Sequence, residues 1–185
     1  MLHTLIVSGH TDLHNSVANR RILDTLEREL PGAEVLRLDA LYTNKPIDVP
    51  TEQDRLRRAD VIVFQFPLFW FNIPSLLQRW MEEVWLHGFS HGTNGHALKG
   101  KKLLLSLPPG APAETYTPQG ADAPDFSAMM QNLCTAARFT GLEFAGIEST
   151  CGVSYALRTD PAQLAAIEAK ADAHAQRLIA RLQSL

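Results

Sequence analysis

The sequence lacks most features that mark a special class. It has two cysteines in 185 residues, Cys134 and Cys151, and no C-x-x-C pair. That excludes a disulfide scaffold and the usual thiolate zinc and redox motifs, and both thiols are expected reduced and buried. No apolar run approaches the roughly 18 residues of a membrane span, and MLHTLIVSGHTD has no basic stretch ahead of an apolar one. Seventeen basic residues stand against twenty acidic ones, for a net charge of −3, so nucleic acid is not an expected partner, because binding a phosphate backbone needs a basic face. There is neither a G-x-G-x-x-G nor a G-x-x-x-x-G-K-[ST] motif. His10/His14 and His87/His91 have metal-ligand spacing but fall in Gly/Asn-rich loops without carboxylate clusters, so no metal is expected. Glu82-Glu83 and Arg55, Arg57 and Arg58 read as solvated helix faces. These absences describe a soluble, cytoplasmic, globular protein long enough to bury roughly 70% of its unfolded surface without staples.

What is present is a regular alternation. Apolar, β-rich runs occur at Leu2–Ser8, Ala33–Leu38, Asp60–Phe66, Lys101–Leu107 and Leu142–Ser149. Helical periodicity fills the intervals: Ser16 to about Leu30, Thr51 (with TEQD as a capping box) to about Ala59, Pro74 to about Trp85, Phe126 to Thr140, and Pro161 to the C-terminus. Strands joined by helices run parallel with right-handed crossovers. Near-continuous apolar strands indicate helices on both faces. The expected fold is one α/β domain over residues 1–185, a three-layer flavodoxin-like sandwich with five parallel strands in the order 2-1-3-4-5.

Such sheets bind ligands beyond the carboxyl ends of their strands. Three loops form that edge: GHTDLHNS after the first strand, PLFWFN after the third and PPGAPAETYTPQG after the fourth. Asn15, Ser16 and Asn19 surround a helix N-terminus, where free N–H groups and the macrodipole favour an anion, and His10 can donate to it. The plainer reading of Ser16 is a helix cap. Phe69, Trp70 and Phe71 occupy a connection where polar residues are the rule, so they either wall in a planar ligand or pack in a dimer interface, and the two roles are compatible. A phosphate site plus an aromatic wall fits a flavin mononucleotide better than a nucleoside triphosphate.

The residues also carry a family resemblance. His10 with Ser16-Val17-Ala18-Asn19, Pro67-Leu68-Phe69-Trp70 with Ile73-Pro74, Leu76-Leu77-x-x-Trp80, His87-Gly88-Phe89, ALKGKKLLL from Ala97 to Leu105, and Gly110 with Tyr116 and Gly120 together resemble the NAD(P)H:quinone oxidoreductase family. That family has a flavodoxin fold and includes the ancillary proteins of Kef-type potassium efflux systems. The PLxW…IP…W block is the specific part, and the likeness is close over about the first 125 residues. It implies a cytoplasmic homodimer that holds FMN (alternatively FAD) noncovalently through His10, Ser16, Val17, Ala18, Asn19, Pro67, Leu68, Phe69, Trp70, Pro108, Pro109, Gly110, Ala111 and Tyr116. It also implies Tyr116 and Asp122 beside the reacting ring, and Trp70, Phe71, Phe89 and His91 around the substrate. NAD(P)H and a quinone, or another small acceptor, would react in turn by two-electron ping-pong hydride transfer. The alternative function is a flavin-binding regulatory subunit of a membrane potassium efflux system.

Three positions depart from the family pattern. Relatives carry Thr-Thr-Gly-Gly where this chain has Pro108-Pro109-Gly110-Ala111, which removes two backbone donors. They often carry histidine where Asp122 stands, and an aromatic residue where His91 stands.

Overall fold

The computed structural model describes residues 2–185. The chain runs β1 (Thr4–Ser8), α1 (Ala18–Glu29), β2 (Glu34–Arg37), α2 (Leu38–Tyr42), α3 (Val49–Arg58), β3 (Val61–Gln65), α4 (Ser75–Val84), β4 (Lys102–Leu107), α5 (Phe126–Met129), α6 (Gln131–Thr140), β5 (Glu143–Ser149) and α7 (Pro161–Gln183), with short 3-10 turns between some of them. The five strands pair in parallel in the order β2-β1-β3-β4-β5, as the alternation of elements predicts.

Strand alternation divides the core into two layers. Leu5, Val7, Ile62, Phe64, Leu103 and Leu105 face α3, α4 and α6, while Ile6, Val61, Val63 and Leu104 face α1 and α7. At the carboxyl ends the apolar runs give way to a polar row, with Ser8 opposite Gln65, Gln65 opposite Ser106 and Ser106 opposite Glu148. This row borders the loops that form the ligand edge. Gly9 follows β1 where a Cβ would meet that of Leu77 at 2.8 Å, so its missing side chain lets the first loop lie against α4.

Several local expectations need correction. Thr51 does not start α3. Asp48 does, accepting the Thr51 N–H at 3.3 Å, with Pro50 in the first turn, where a missing N–H costs little. Glu52 lies in the first turn of that helix. It is fully buried, accepting from Tyr42 Oη at 2.6 Å, from Trp80 Nε1 at 3.1 Å and from Arg55. Arg55 in turn donates to Glu34 at 2.6 Å, so it is a bridging residue and not a wet one. The helix expected over 126–140 breaks at Met130, which leaves helical backbone at φ −97° and ψ 23°. Cys134 and Cys151 are free and half-buried, not fully buried.

Edge strand β5 carries a bulge. Leu103 pairs with Phe144 and Leu104 with Gly146, leaving Ala145 over. Gly146 has φ 104°, and a Cβ there would collide with the Arg181 guanidinium. That guanidinium donates to Ile147 O at 2.9 Å and Ala145 O at 2.6 Å.

Candidate functional site

The first loop meets α1 through Ser16. Its backbone is extended (φ −87°, ψ 126°), and its Oγ accepts both the backbone and the side-chain N–H of Asn19, each at 3.3 Å. Ser16 is thus a cap, as its sequence context allows. It also lines a groove, so the cap does not exhaust its role. Asn19 Oδ1 accepts from Gln65 Nε2 at 2.9 Å, tying the helix start to the polar row of the sheet. His10 accepts the Asp12 N–H on Nδ1 at 3.0 Å, so the neutral ring carries its hydrogen on Nε2 and is a donor there. Burial holds its pKa below the usual value against the pull of Asp39 and Asp12, which keeps that neutral form at physiological pH.

The loop after β3 closes on itself. Phe69 and Asn72 exchange backbone hydrogen bonds at 3.0 and 3.1 Å, and the two residues between them, Trp70 and Phe71, have φ of 50° and 62°. A tight turn with both central residues left-handed normally carries Asn-Gly. Bulky residues there cost of order 1–3 kcal/mol each, and such strain gathers at functional sites. Trp70 is 94% exposed, so the turn is not repaid by burial. Phe69 meets His10 edge-on at 5.6 Å between ring centroids, and Phe71 meets Tyr116 at 6.1 Å.

Between these loops lies a groove of about 1020 Å³. It gathers His10, Ser16, Val17, Ala18 and Asn19 from the first loop, Pro67, Leu68 and Phe69 from the third strand's loop, and Pro108, Gly110, Ala111 and Tyr116 from the fourth's. Tyr116 Oη accepts the Ala111 N–H at 3.3 Å, and burial raises its pKa. Its hydroxyl hydrogen therefore remains available as a donor.

The remaining expected residues stand outside the groove lining. Pro109 is buried behind it, accepting the Val153 N–H at 3.3 Å. Trp70 and Phe71 project from the strained turn. Phe89 is not open to a substrate. It is buried, with the Arg57 guanidinium 5.1 Å from its ring centroid, because the Phe89 carbonyl is held by the Ala97 N–H at 3.0 Å. His91 packs against Phe139 of α6 at 5.4 Å. Asp122 is exposed, with no hydrogen bond or ion pair among the described residues, because residues 121–124 turn out to solvent ahead of the Asp125 cap of α5.

Known proteins share this fold. A family model described as "Flavodoxin-like fold" matches residues 2–178. The chain belongs to that family. This flavodoxin-like chain is 39% identical over 140 residues to the glutathione-regulated potassium-efflux system ancillary protein KefF of Enterobacter sp. (strain 638), covering 76% of this chain and 78% of that one. Among solved structures, general stress protein 14 of Treponema denticola in complex with FMN superposes with a TM-score of 0.83 at 29% identity, over 97% and 99% of the two chains. An NADPH-quinone reductase of P. pentosaceus follows with a TM-score of 0.72 at 25% identity, over 96% and 97%.

The flavodoxin-like edge has one wall that the three-loop reading overlooks. The segment after β5 supplies Gly152, Val153, Ser154, Tyr155, Leu157 and Arg158 to the groove. The topology contains the signal for it, since the carboxyl end of β5 lies on the same edge as the others. Arg158 places its guanidinium 4.8 Å over the Tyr155 ring and forms no ion pair among the described residues.

Proposed function

We propose that this protein binds FMN noncovalently in the groove and uses it to reduce quinones, or similar small acceptors, at the expense of NAD(P)H. The observation that carries this reading is the pairing of one donor-rich end with one aromatic and proline-walled end. Ser16, Asn19 and the start of the twelve-residue helix α1 supply donors and a positive helix terminus, which suit a phosphate. Pro67, Leu68, Phe69, Pro108 and Tyr116 supply flat, weakly polar walls, which suit a tricyclic ring.

Flavin held there would supply the two-electron hydride chemistry that links NAD(P)H to the acceptor. The chain's own residues bind and orient. His10 donates from Nε2, and Ser16 holds the phosphate end. Gly110 brings backbone close to the ring at the point where Pro108 and Pro109 cannot donate. Tyr116 presents a protonated hydroxyl to the ring's polar edge, so the donor role falls to Tyr116 and not to Asp122. Phe69 fixes the slot's width. Trp70 and Phe71 form an apolar rim that a second copy of the chain would cover, giving a homodimer with its sites at the interface.

A second reading is favoured by the 39% identity to an ancillary protein of a potassium efflux system. In it, flavin binding serves regulation of a membrane transporter and turnover is secondary. Purification decides the first point: a yellow protein releasing FMN by chromatography supports the flavin reading, and a colourless protein that does not bind added FMN overturns it. Steady-state assays of the isolated protein decide the second. Robust NAD(P)H-dependent quinone reduction supports the enzyme, and flavin binding with negligible turnover favours the regulator.

A further inference from the structure

Behind the groove, a line of polar side chains, exposed at Arg177 and buried from His174 inward, crosses from α7 to the start of α1. Arg177 Nη2 donates to Thr150 Oγ1 at 2.6 Å, and Thr150 Oγ1 lies 2.9 Å from His174 Nδ1. His174 Nε2 lies 2.7 Å from Ser106 Oγ, and Ser106 Oγ donates to Gln65 Oε1. Gln65 Nε2 reaches Asn19 Oδ1 at 2.9 Å, and Asn19 Nδ2 reaches Ser16 Oγ at 3.3 Å. His174, Ser106 and Gln65 are fully buried, and Asn19 is 3% exposed. None of them is explained by core packing, because the surrounding layer is aliphatic.

The orientation of the Gln65 and Asn19 amides sets the direction of the line. A guanidinium only donates, so Thr150 Oγ1 accepts from Arg177 and its own hydrogen is free for His174 Nδ1. Burial, helped by Arg177, pushes the His174 pKa down to about 3, so the ring has a single hydrogen, and because Ser106 donates onward to Gln65 that hydrogen falls on Nε2. Ser106 accepts it and passes its own hydrogen to Gln65 Oε1. The Gln65 amide nitrogen then faces Asn19 Oδ1, and the Asn19 amide nitrogen faces Ser16. Ser16 Oγ accepts from two N–H groups, and its own hydrogen has no acceptor among the described residues. In the reverse order, Thr150 would receive two donors and its hydrogen would have no acceptor, while the Ser16 hydrogen would turn inward to Asn19.

We propose that Gln65, Ser106 and His174 are positioning residues that hold the Ser16 hydroxyl as a donor into the groove, making that end of the site selective for a phosphomonoester dianion. The ligand assignment rests on the flavin reading above. The hydrogen-bond line itself does not.

The test is a double-mutant cycle on the apoprotein at pH 8, with FMN and riboflavin as probes, since riboflavin lacks the phosphate. Gln65→Met keeps the side chain's length and removes both its acceptor and its donor, so the Asn19 amide and the Ser16 hydrogen lose the partner that orients them. FMN affinity is expected to fall roughly ten- to a hundredfold, the scale of one hydrogen bond to a charged group, with riboflavin affinity unchanged within about twofold. In the Ser16→Ala background the same substitution should cost no more than about twofold further. Multiplicative losses, which a general loosening of the site would produce, overturn the proposal, as does unchanged FMN affinity in Gln65→Met alone. Nitrogen-15 NMR of His174 in the wild-type apoprotein gives a reading that survives misfolding of the variant. A single Nε2–H tautomer at pH 7 is expected, and an Nδ1–H tautomer or an imidazolium overturns the line. Wild-type protein that binds neither flavin overturns the functional reading and the phosphate assignment together, while the His174 tautomer still decides the line.

Discussion

Glu52 and His174 are both fully buried, titratable side chains, and they lie on opposite faces of the sheet. Glu52 is the centre of a closed cluster. Tyr42, Trp80 and Arg55 surround it, Glu34 closes the far side of Arg55, and no member lines the groove. Burial and the Glu52 contact push the Tyr42 pKa up to about 12, so that hydroxyl remains a donor throughout the working range. His174 belongs to an open line, neutral along its buried length and ending at a groove-lining hydroxyl. A buried charge ringed by donors joins α2, α3 and α4. A run of neutral amides and hydroxyls carries orientation from one place to another. The difference shows that burial of a polar group does not by itself indicate function; the end of the hydrogen-bond path does.

Breaking the closed cluster should have the largest effect on folding. Glu52→Ala leaves Tyr42 and Trp80 without an acceptor and Arg55 with Glu34 alone, and removal of one partner from a buried ionic group costs about 3–5 kcal/mol. Urea denaturation should show that loss, while the FMN affinity of the folded fraction stays within about twofold of wild type. A large change in FMN affinity would mean the two clusters are coupled.

The open line should respond to acid instead. His174 has a folded pKa of about 3 against an ordinary value of 6.5. The unfolded chain therefore binds more protons between those values, and the contribution of neutral His174 is complete above pH 6.5 and lost as pH falls toward 3. At pH 4.5 the loss is about 2.5–3 kcal/mol. The difference between the stability profiles of wild type and His174→Asn measures it, and parallel profiles would place His174 in a wetter environment.

At the groove end, Ser16→Ala separates the two roles of one hydroxyl. Loss of a hydrogen bond to a charged group weakens FMN binding by about 1.5–3 kcal/mol, whereas loss of the cap costs about 1 kcal/mol of stability. Flavin titration and thermal melts on the same variant compare them. Equal riboflavin and FMN losses would leave only the cap.

The strained turn offers a smaller contrast. Trp70 is almost wholly exposed at positive φ, so Trp70→Gly removes strain without opening a cavity. Trp70→Gly should be about 1 kcal/mol more stable than Trp70→Ala, while both raise KM for quinone. Equal stability would show that the turn relaxes to accommodate a side chain. Smallest of all is Asp122→Asn, which should move the flavin midpoint by less than about 10 mV, because a solvated charge outside the groove is screened. A shift of tens of millivolts would bring Asp122 back beside the ring.

The order of elements and the ligand edge were legible because the strands are unbroken apolar runs and the edge loops carry prolines and aromatics that ordinary loops avoid. The hydrogen-bond line was not. Gln65 and Ser106 are single polar residues near the ends of apolar strands, and His174 is one histidine in an Ala-rich helix, so each looks like tolerated variation until the fold aligns them. Thr51 was misread for a similar reason: TEQD has the spacing of a capping box, and only the placement of Pro50 shows that the helix had already begun. Phe89 was read as a substrate contact because its motif is local, whereas its burial under Arg57 depends on residues far apart in the sequence.

The bulge at Gly146 has a consequence at the margin of the sheet. An edge strand exposes unpaired carbonyls that can recruit a strand from another molecule. In β5 two of those carbonyls, on Ala145 and Ile147, are already occupied by Arg181 from α7. A fixed cation and a kink of one residue thus stand where an incoming strand would need a straight, vacant ladder. The long C-terminal helix, besides covering the core, guards this border against aggregation.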